Sequence, residues 1–543
     1  MKKFYNLILF LTISISACFA QERFLDEVFT DVTVTQDVTY GLNGTILFIA
    51  QAGEIVPQSL EMDIYEPTGD TETERPVVLV FHTGNFLPNV TNGQIPGTKR
   101  DSSVVEFCTQ LARRGFVAVA PEYRLGWNPL APTQPVRALG LIQAAYRGVQ
   151  DGRNAIRFMR ANADTYNVDP NSITALGLGT GGYLTLGLVG LSFYEEILTT
   201  TNGPAKFFID ADGDGMVETP MVVEQFHGDV NGEDLTVTPA EGFGLPAGDT
   251  TNYANLPGID NSIQLGINIG GALGDISWLA DNTTPTISVQ SPFDQFAPYG
   301  DAVLIVPTTG DPIVQVQGAS IIGAEQEALG NNQMWIDANF NDAITEEAIA
   351  NSAIAGHPYF EGVFPFIRPA NSLGIDEGVV VDWWDPASPS PADGAGMGIP
   401  WNVLPHPAGG TFDTNGQLIN ENQSAEKARA NIADIMAYIL PRTCVALELP
   451  CADQFTVSTR EVLVDAGMRI NPNPANESVR IIVDGDFEII NMSIYDMTGK
   501  VVQEFKGINT TEYTIQRNNL AAGMYLIKAT FDEGIQTQKV LFE

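Results

Sequence analysis

A short apolar segment that runs through a glycine-rich turn into an apolar helix constrains the fold of this chain most. Residues 173–176 form an apolar, partly β-branched run, residues 177–181 have the sequence GLGTG, and residues 183–191 continue as an apolar helix. Glycine lets backbone segments pack closely and adopt conformations that other residues avoid. The pattern predicts a buried strand and a helix joined by one tight turn.

The surrounding region alternates strands with helices. Residues 77–81 and 116–120 are continuous apolar runs, which suit strands that are buried on both faces. Residues 104–114 have apolar side chains at helical spacing and basic residues in the last turn, and Gly115 ends the segment. This alternation over about 21–445 predicts an α/β domain with a mostly parallel sheet flanked by helices.

Four strings in this domain resemble the carboxylesterase-like branch of the α/β-hydrolase superfamily. They are MDIYEP at 62–67, FHTG at 81–84, PEYRL at 121–125 and VDP at 168–170. They are similar to the early L-D-x-Y-x-P strand of that branch, its H-G-G oxyanion loop, its Y-R-L segment and the D-P turn before the nucleophile. The resemblance extends from about residue 60 to residue 191 and implies an α/β-hydrolase fold.

The turn at 177–181 is similar to the nucleophile elbow of that superfamily, G-x-S-x-G, in which serine occupies the apex of a strained strand-to-helix turn. Gly177 and Gly181 match the outer glycines, but the apex is Gly179. Glycine has no side chain that can attack a carbonyl group. The resemblance therefore implies the fold of an esterase at a site that lacks the nucleophile.

Hydrolases of this superfamily use a catalytic triad of a nucleophile, a histidine and an acid. The acid is expected in the loop after a late strand, and residues 285–290 are predicted to form that strand. In similar hydrolases this loop has the form H-G-x-x-D-x-x-V-P-Y, and Asp294 is the residue that matches its acid. The histidine of that string is replaced by Gln290. The alternative is that Asp294 only caps a turn.

The histidine of the triad is expected between the last strand and the last helix. His406 lies nearer the last helix and is the first candidate for the base, and His357 is the alternative. A lone surface histidine is the more common explanation for each of them.

The resemblance assigns His82, Thr83 and Gly84 to the oxyanion loop. The amide of Thr83 or Gly84, together with the amide of Thr180, would donate hydrogen bonds to an oxyanion. Thr180 is also the candidate for a relocated nucleophile. It follows the apex by one position, so its hydroxyl is expected to point away from the cleft, whereas a nucleophile must lie within hydrogen-bond reach of its base.

Two classes of function follow, because a fold alone does not decide activity. The favoured one is a catalytically degenerate protein that binds an ester, glycan or lipid. The alternative is an active secreted carboxylic-ester hydrolase that uses a relocated nucleophile such as Thr180. A purely structural extracellular protein is a third class. No cofactor for catalysis is expected.

The charge balance argues against polyanionic partners. The chain has 66 acidic and 27 basic residues, a formal net charge of −39, and the acidic residues are spread along its 543 residues. Repulsion between like charges disfavours nucleic acid and anionic lipid surfaces. The composition is typical of a soluble, extracellular surface.

Residues 1–20 resemble a secretory signal peptide, with Lys2 and Lys3 before a short apolar core and a small-residue cleavage site before Gln21. The apolar core is too short for an ordinary membrane span. As an alternative, the residues before Cys18 resemble a lipoprotein box, in which that cysteine is acylated.

The remaining cysteines fit an oxidising compartment. Cys444 and Cys451 are close in sequence at the end of the large domain, so we expect a disulfide between them. Cys108 lies on the apolar face of a predicted helix and is expected to be a buried core thiol. The last helix of the large domain is predicted over 425–440, with Pro441 closing it.

The end of the chain has a different pattern. After a linker at 446–467, residues 468–543 show short alternating strands separated by turns, which predicts a small β-sandwich. NPNP at 471–474, YDMTGK at 495–500, GMY at 523–525 and a terminal KV together resemble the C-terminal sorting domain of the type IX secretion system. The resemblance implies export through the periplasm to the cell surface or medium, with the secretion machinery as partner. The alternative is a β-sandwich that binds carbohydrate or protein.

An insertion at about 192–260 contains a candidate structural calcium loop. Its motif D-x-D-x-D-G offers carboxylates at alternate positions, a glycine for the sharp turn, and further ligands two and four residues later. The predicted ligands are Asp210, Asp212, Asp214, the carbonyl of Met216 and Glu218. The twelfth position is Met221 instead of the bidentate glutamate of a full EF-hand, and an acidic turn without metal is the alternative.

Overall fold

The computed structural model describes residues 22–200, 206–210, 214–280, 283–306, 310–381, 385–392, 396–455, 464, 466–485, 487–496, 500–518, 520–532 and 534–543. The chain divides into two compact units, residues 1–455 and 456–543. None of the helices in these described ranges is long and apolar enough to cross a membrane. The signal sequence and Cys18 lie outside the described residues.

The first unit is built on one eight-stranded sheet. Its strands have the spatial order β1-β2-β4-β3-β5-β10-β11-β14. The pairs from β4 to β14 are all parallel, and the pairs β1–β2 and β2–β4 are antiparallel. The other strands of this unit form three two-stranded sheets, β6-β7, β8-β9 and β12-β13. In chain order, all strands of the unit are β1 (Val32–Thr45), β2 (Val56–Pro67), β3 (Arg75–Phe81), β4 (Val117–Pro121), β5 (Val168–Leu178), β6 (Phe208–Ile209), β7 (Thr219–Pro220), β8 (Thr236–Val237), β9 (Thr250–Asn252), β10 (Leu265–Ile269), β11 (Thr286–Gln290), β12 (Asp301–Val306), β13 (Asp311–Gln317) and β14 (Val363–Pro365).

Helices cover both faces of this sheet. The helices of this unit are α1 (Ile49–Ala52), α2 (Ser102–Arg113), α3 (Gln134–Ala161), α4 (Ala163–Tyr166), α5 (Thr180–Gly190), α6 (Glu195–Leu198), α7 (Glu224–His227), α8 (Ala319–Leu329), α9 (Gln333–Ala338), α10 (Ala343–Ala355), α11 (Phe412–Ile419) and α12 (Ala425–Ala446). This is the mostly parallel α/β fold that the sequence predicts.

The central strands are apolar throughout because both of their faces are covered. All seven residues of β3 are buried. Successive side chains of a strand point to opposite faces. Val78 and Val80 therefore belong to one core cluster, which contains side chains of α2 and α12, whereas Leu79 and Phe81 belong to the other, which contains side chains of α3 and α5.

The last helix of this unit differs from the prediction. Helix α12 continues through Pro441 to Ala446, instead of ending at residue 440. Contacts after the proline anchor the extra turn: Arg442 Nε donates to Glu361 Oε1 (2.7 Å), and the guanidinium lies 3.6 Å from the ring centre of Tyr438. The Thr443 hydroxyl also donates to the Ile439 carbonyl (2.8 Å). Tertiary contacts here outweigh the hydrogen bond that proline removes.

Both expectations for the cysteines are confirmed. Cys444 and Cys451 form a disulfide that joins the end of α12 to the following 3-10 helix. Cys108 is a fully buried thiol on α2, in the core cluster with Val104 and Leu111.

The second unit is the small β-rich domain that the sequence predicts. Its strands form a three-stranded antiparallel sheet, β15-β16-β19, and a four-stranded one, β18-β17-β20-β21. Both sheets contribute side chains to one core, including Val479, Ile494 and Ile527. The strands are β15 (Arg469–Asn471), β16 (Ser478–Ile482), β17 (Ile489–Tyr495), β18 (Val501–Thr510), β19 (Glu512–Gln516), β20 (Gly523–Phe531) and β21 (Gly534–Phe542).

Candidate functional site

The turn between β5 and α5 has the geometry of a nucleophile elbow. Gly179, at its apex, has φ 51° and ψ −111°, a combination that side chains with a Cβ avoid. Its N–H donates to the Ile269 carbonyl (2.7 Å) and so joins the turn to the end of β10. A Cβ at Gly177 would overlap the Gly181 carbonyl oxygen, and a Cβ at Gly181 would overlap the Phe81 carbonyl oxygen, which explains why both outer positions are glycine.

The side chain of Thr83 fills the space beside the apex. A Cβ at Gly179 would overlap the Thr83 hydroxyl oxygen and lie 3.1 Å from Thr83 Cβ. This closeness follows from the register of the parallel pair β3–β5, in which Phe81 is opposite Gly177. Two residues farther along each strand direction, Thr83 and Gly179 meet. The hydroxyl of Thr83, in the predicted oxyanion loop, therefore occupies the place where an elbow side chain would begin.

Thr180 is hydrogen-bonded to the same loop through two groups. Its N–H donates to Thr83 Oγ1 (3.3 Å), and its own hydroxyl oxygen accepts a hydrogen bond from the Asn85 N–H (2.8 Å). The amide that the sequence predicts as an oxyanion donor thus has a partner within the protein. The Thr180 side chain is only 7% exposed.

His82 contacts this loop from the protein interior. Its ring is buried and stacks on Tyr123, with 4.3 Å between ring centres. Nδ1 lies 2.6 Å from the Thr83 carbonyl oxygen, and Nε2 lies 3.3 Å from Glu122 Oε1, an ion-pair distance without good hydrogen-bond alignment. Burial alone would lower the pKa of His82, but the Glu122 carboxylate raises it above its ordinary value. His82 therefore holds Thr83 in position and does not line the cavity beside the elbow.

Gly84 is also buried, lies outside the cavity lining and has φ 127°. A Cβ there would lie 2.8 Å from Gly97 Cα. Of the three predicted oxyanion-loop residues, Thr83 alone lies on the cavity wall.

Asp294 follows β11 and reaches the elbow region. Its Oδ1 accepts hydrogen bonds from the N–H groups of Phe296 (2.7 Å) and Ala297 (3.1 Å), so it caps a turn as well as lining the cavity. Burial raises the pKa of this carboxyl to about 7, although both hydrogen bonds oppose the shift. Gln290, at the position of the family histidine, ties the same loop to α8 through the Ala297 carbonyl (2.9 Å) and the Ala319 N–H (2.9 Å).

The two candidate bases have other contacts. His406 lines the cavity, but its Nδ1 accepts from the Ala408 N–H (3.1 Å) and its Nε2 faces the Gly93 carbonyl oxygen (3.1 Å). His357 is half-buried against Tyr299 and lies outside the cavity lining. Among the described residues, no hydrogen bond joins either imidazole to Asp294.

The loop after β14 brings Gly378, and neither candidate histidine, against the loop that contains Asp294. A Cβ there would overlap the Phe293 carbonyl oxygen and lie 2.9 Å from Asp294 Cα. The preceding residue, Glu377, binds Lys427 Nζ through both carboxylate oxygens (2.8 and 2.7 Å). The next three residues, valines 379–381, line the cavity, a role that no sequence motif indicates.

A cavity of about 740 Å³ extends from the elbow between helices and the β12–β13 hairpin. Its volume lies within the roughly 300–1,000 Å³ that is typical of small-molecule sites. The described lining contains no lysine or arginine. Most of the wall is apolar and includes Leu141, Ile142, Val149, Leu184, Leu191, Ile197, Phe207, Val222, Trp278, Leu304, Val314 and Val316.

The predicted calcium loop is described only in part, because Asp212 lies outside the described residues. Asp210 Oδ2 accepts from the Gly215 N–H (2.9 Å), and Asp214 Oδ1 accepts from the Met216 N–H (2.8 Å). Gly215 has φ 91° and makes the sharp turn. The described part of the chain contains no cluster of three or more His, Cys, Asp or Glu residues placed to hold a metal. Glu218 and the Met216 carbonyl stay predicted ligands.

Comparison with known families fits both units. Residues 62–228 match the BD-FAE family, and residues 469–543 match the secretion system C-terminal sorting domain. The chain carries an esterase-like α/β-hydrolase domain and a type IX sorting domain. The sorting domain assigns the protein to the medium or the cell surface.

Individual relatives are distant. A Neuroligin-like protein glit-1 of Caenorhabditis elegans is 30% identical over 124 residues, which are 22% of this chain and 14% of that protein. The chain thus spans about a seventh of that relative's length. Among solved structures, Thermogutta terrifontis esterase 2 phosphorylated by paraoxon is 17% identical, with a TM-score of 0.27 over 49% of this chain and 73% of that one. The same esterase phosphonylated by cyclosarin is also 17% identical, with a TM-score of 0.27 over 51% and 77%.

Proposed function

We propose that this secreted protein uses an esterase-like site to bind an ester, glycan or lipid without hydrolysing it. The observation that carries the proposal is the contact between Thr83 and Gly179. The apex has no hydroxyl, and the Thr83 side chain fills the space that an elbow side chain would need. A nucleophile and one donor of an oxyanion site are therefore lost together.

The state of the acid and the histidines supports the same proposal. Acyl transfer needs a base that takes the proton of the nucleophile and is itself oriented by a third group. Asp294 has its pKa raised to about 7 by burial, and His406 is bonded to backbone groups. The absence of a hydrogen bond between Asp294 and either candidate histidine among the described residues supports a site without the acid–base pair that a relocated nucleophile would need.

The alternative is hydrolysis through another hydroxyl, Thr180 or Thr83. The observation that favours it is the placement of both side chains on the cavity wall beside the elbow. Each of these hydroxyl oxygens accepts a hydrogen bond from a backbone N–H, which leaves its proton available for a base.

Fluorophosphonate labelling followed by peptide mapping separates the two functions. The proposed function requires that the mature protein stays unlabelled at 83 and 180 under conditions that label an active serine esterase. Stoichiometric modification of either threonine, abolished by Thr83→Val or Thr180→Val respectively, would establish the alternative.

The calcium loop is proposed separately as a structural feature. Calcium in excess should raise the unfolding temperature and protect the 206–220 region from proteases. Asp214→Asn should remove both effects, and Asp234→Asn, in the same insertion, serves as the matched control. If calcium changes neither the unfolding temperature nor the protease resistance of the natural protein, the loop is an acidic turn without a metal site.

A further inference from the structure

We propose that the elbow cavity takes an uncharged, single-chain lipid, such as a long-chain alcohol or a monoacyl ester, and discriminates against the corresponding fatty-acid anion. This inference rests on the proposed binding function and specifies its ligand. It follows from three properties of the described lining: its apolar surface, the internal hydrogen bonds of its polar aromatic groups and its charge.

The apolar part of the wall includes both buried side chains and side chains exposed at the protein surface. Side chains of α3, α5 and the hairpin surround the interior, where Val149, Leu184 and Val316 are almost fully buried. The lining continues to Leu130 and Leu418, which are 89% and 67% exposed. An extended hydrocarbon chain matches such a surface because each buried methylene contributes favourably.

The polar aromatic groups of the wall have partners within the protein. Tyr146 donates to the Gly228 carbonyl (2.8 Å), Tyr183 to that of Phe296 (3.2 Å), Trp127 to that of Asn85 (2.8 Å) and Trp278 to that of Glu196 (3.0 Å). A sugar needs many donors and acceptors from its site, and the O–H and N–H donors of these four groups are already used within the protein. The wall therefore favours a lipid over a glycan.

Charge selects the head group. Near the elbow the lining offers Asp294, and Asn85, whose side-chain nitrogen has no hydrogen-bond partner among the described residues. The described wall has no lysine or arginine to pair with a carboxylate. Asp294, when ionised, repels a fatty-acid anion, whereas a hydroxyl or ester oxygen can hydrogen-bond there.

Calorimetric titration of the mature protein with 1-octanol, 1-decanol and decanoate at pH 8 tests the proposal. We expect affinity for the alcohols to rise about fourfold per added methylene. Decanoate should bind at least tenfold more weakly than 1-decanol, and Asp294→Asn should narrow that difference severalfold. Ala145→Phe, which fills the cavity from α3, should weaken 1-decanol binding at least tenfold, whereas Ala350→Phe, on the exposed face of α10, should not.

Several results would overturn the inference: decanoate binding as tightly as 1-decanol, affinity independent of chain length, or a neutral oligosaccharide such as maltotriose binding more tightly than the alcohols. Incubation with 1-monodecanoin separates this inference from the proposed function. Tight binding with release of decanoate would refute the absence of turnover and keep the ligand class. Intact 1-monodecanoin without measurable binding would refute the ligand class alone.

Discussion

At the scale of residues, Gly179 at the apex and Thr83 in the predicted oxyanion loop depend on each other. Gly179 leaves a space, Thr83 fills it, and the Thr180 amide turns to the Thr83 hydroxyl. The absence of the serine was visible in the sequence. The contact was not, because 83 and 179 are far apart in the chain and meet only through the register of β3 and β5.

This contact makes the two positions energetically coupled. Gly179→Ser should destabilise the protein by roughly 2–5 kcal/mol, because it adds backbone strain and overlap with Thr83. Thr83→Gly in the same chain should recover roughly 1–3 kcal/mol. Urea unfolding of the single and double variants gives the coupling energy.

Gly330→Ser is the matched control, because Gly330 has φ 76° but no neighbour within 4 Å of an added Cβ. It should cost only about 1–2 kcal/mol. Additive effects of Gly179→Ser and Thr83→Gly would contradict the contact. The double variant should still lack esterase activity, because no histidine pairs with Asp294 in the described structure.

The raised pKa of Asp294 predicts a pH dependence of stability. A carboxyl whose pKa rises from 3.8 to about 7 on folding stabilises the native state fully below pH 3.8, and this contribution is lost as pH rises toward 7. Asp294→Asn should therefore lose roughly 1–3 kcal/mol less stability than the natural protein between pH 5 and pH 8.

Asn can still accept the two backbone hydrogen bonds, so the variant tests charge with little change in shape. Two other groups also make the protein less stable as pH rises, and both remain in the variant. They are Asp101, whose pKa burial raises to about 7, and His82, whose pKa is also raised. The loss of stability between pH 5 and pH 8 should therefore be smaller in the variant but still present. The free energy of unfolding is measured by urea titration at pH 5 and at pH 8. An equal change between the two pH values in the natural protein and in Asp294→Asn would show that ionisation of Asp294 does not destabilise the fold.

At the scale of elements, the β12–β13 hairpin forms part of the cavity wall, and no sequence motif predicts this role. Arg137, on α3, holds the hairpin through both carboxylate oxygens of Asp311 (2.5 and 2.7 Å). The strands that make the elbow were predictable because they are long apolar runs flanked by glycine or proline. The place of the hairpin in the cavity wall was not, because the apolar run of β12 has no alternation that indicates which face is buried, and Val303 and Ile305 are in fact exposed.

Removing the Arg137 contact should loosen the hairpin. We expect Arg137→Ala to increase amide hydrogen exchange over 301–306 and 310–317 and to speed the release of a bound alcohol, with little effect on global unfolding. Arg429→Ala, which removes an exposed ion pair with Glu106, should change neither property. Unchanged exchange in Arg137→Ala would show that other contacts hold the hairpin, such as the two backbone hydrogen bonds between Leu273 and Gln317 (2.7 and 3.0 Å).

At the scale of the whole molecule, each unit has its own core, and the second one matches a sorting domain. Deleting the chain from Asn471 should leave the protein in the periplasm while its first unit stays folded, as monitored by fractionation and by the unfolding temperature. The truncated protein in the medium at normal levels would contradict a sorting role. The intact mass of the exported form also reports whether residues 1–20 are removed and whether Cys18 is acylated.

The central claim is that the site binds without turnover, and steady-state hydrolysis of p-nitrophenyl butyrate by the purified mature protein tests it most directly. From pH 6 to pH 9, the rate should stay at the buffer background and be unchanged in Thr83→Val and Thr180→Val. A rate well above background that either substitution abolishes would contradict the claim and identify that threonine as the nucleophile.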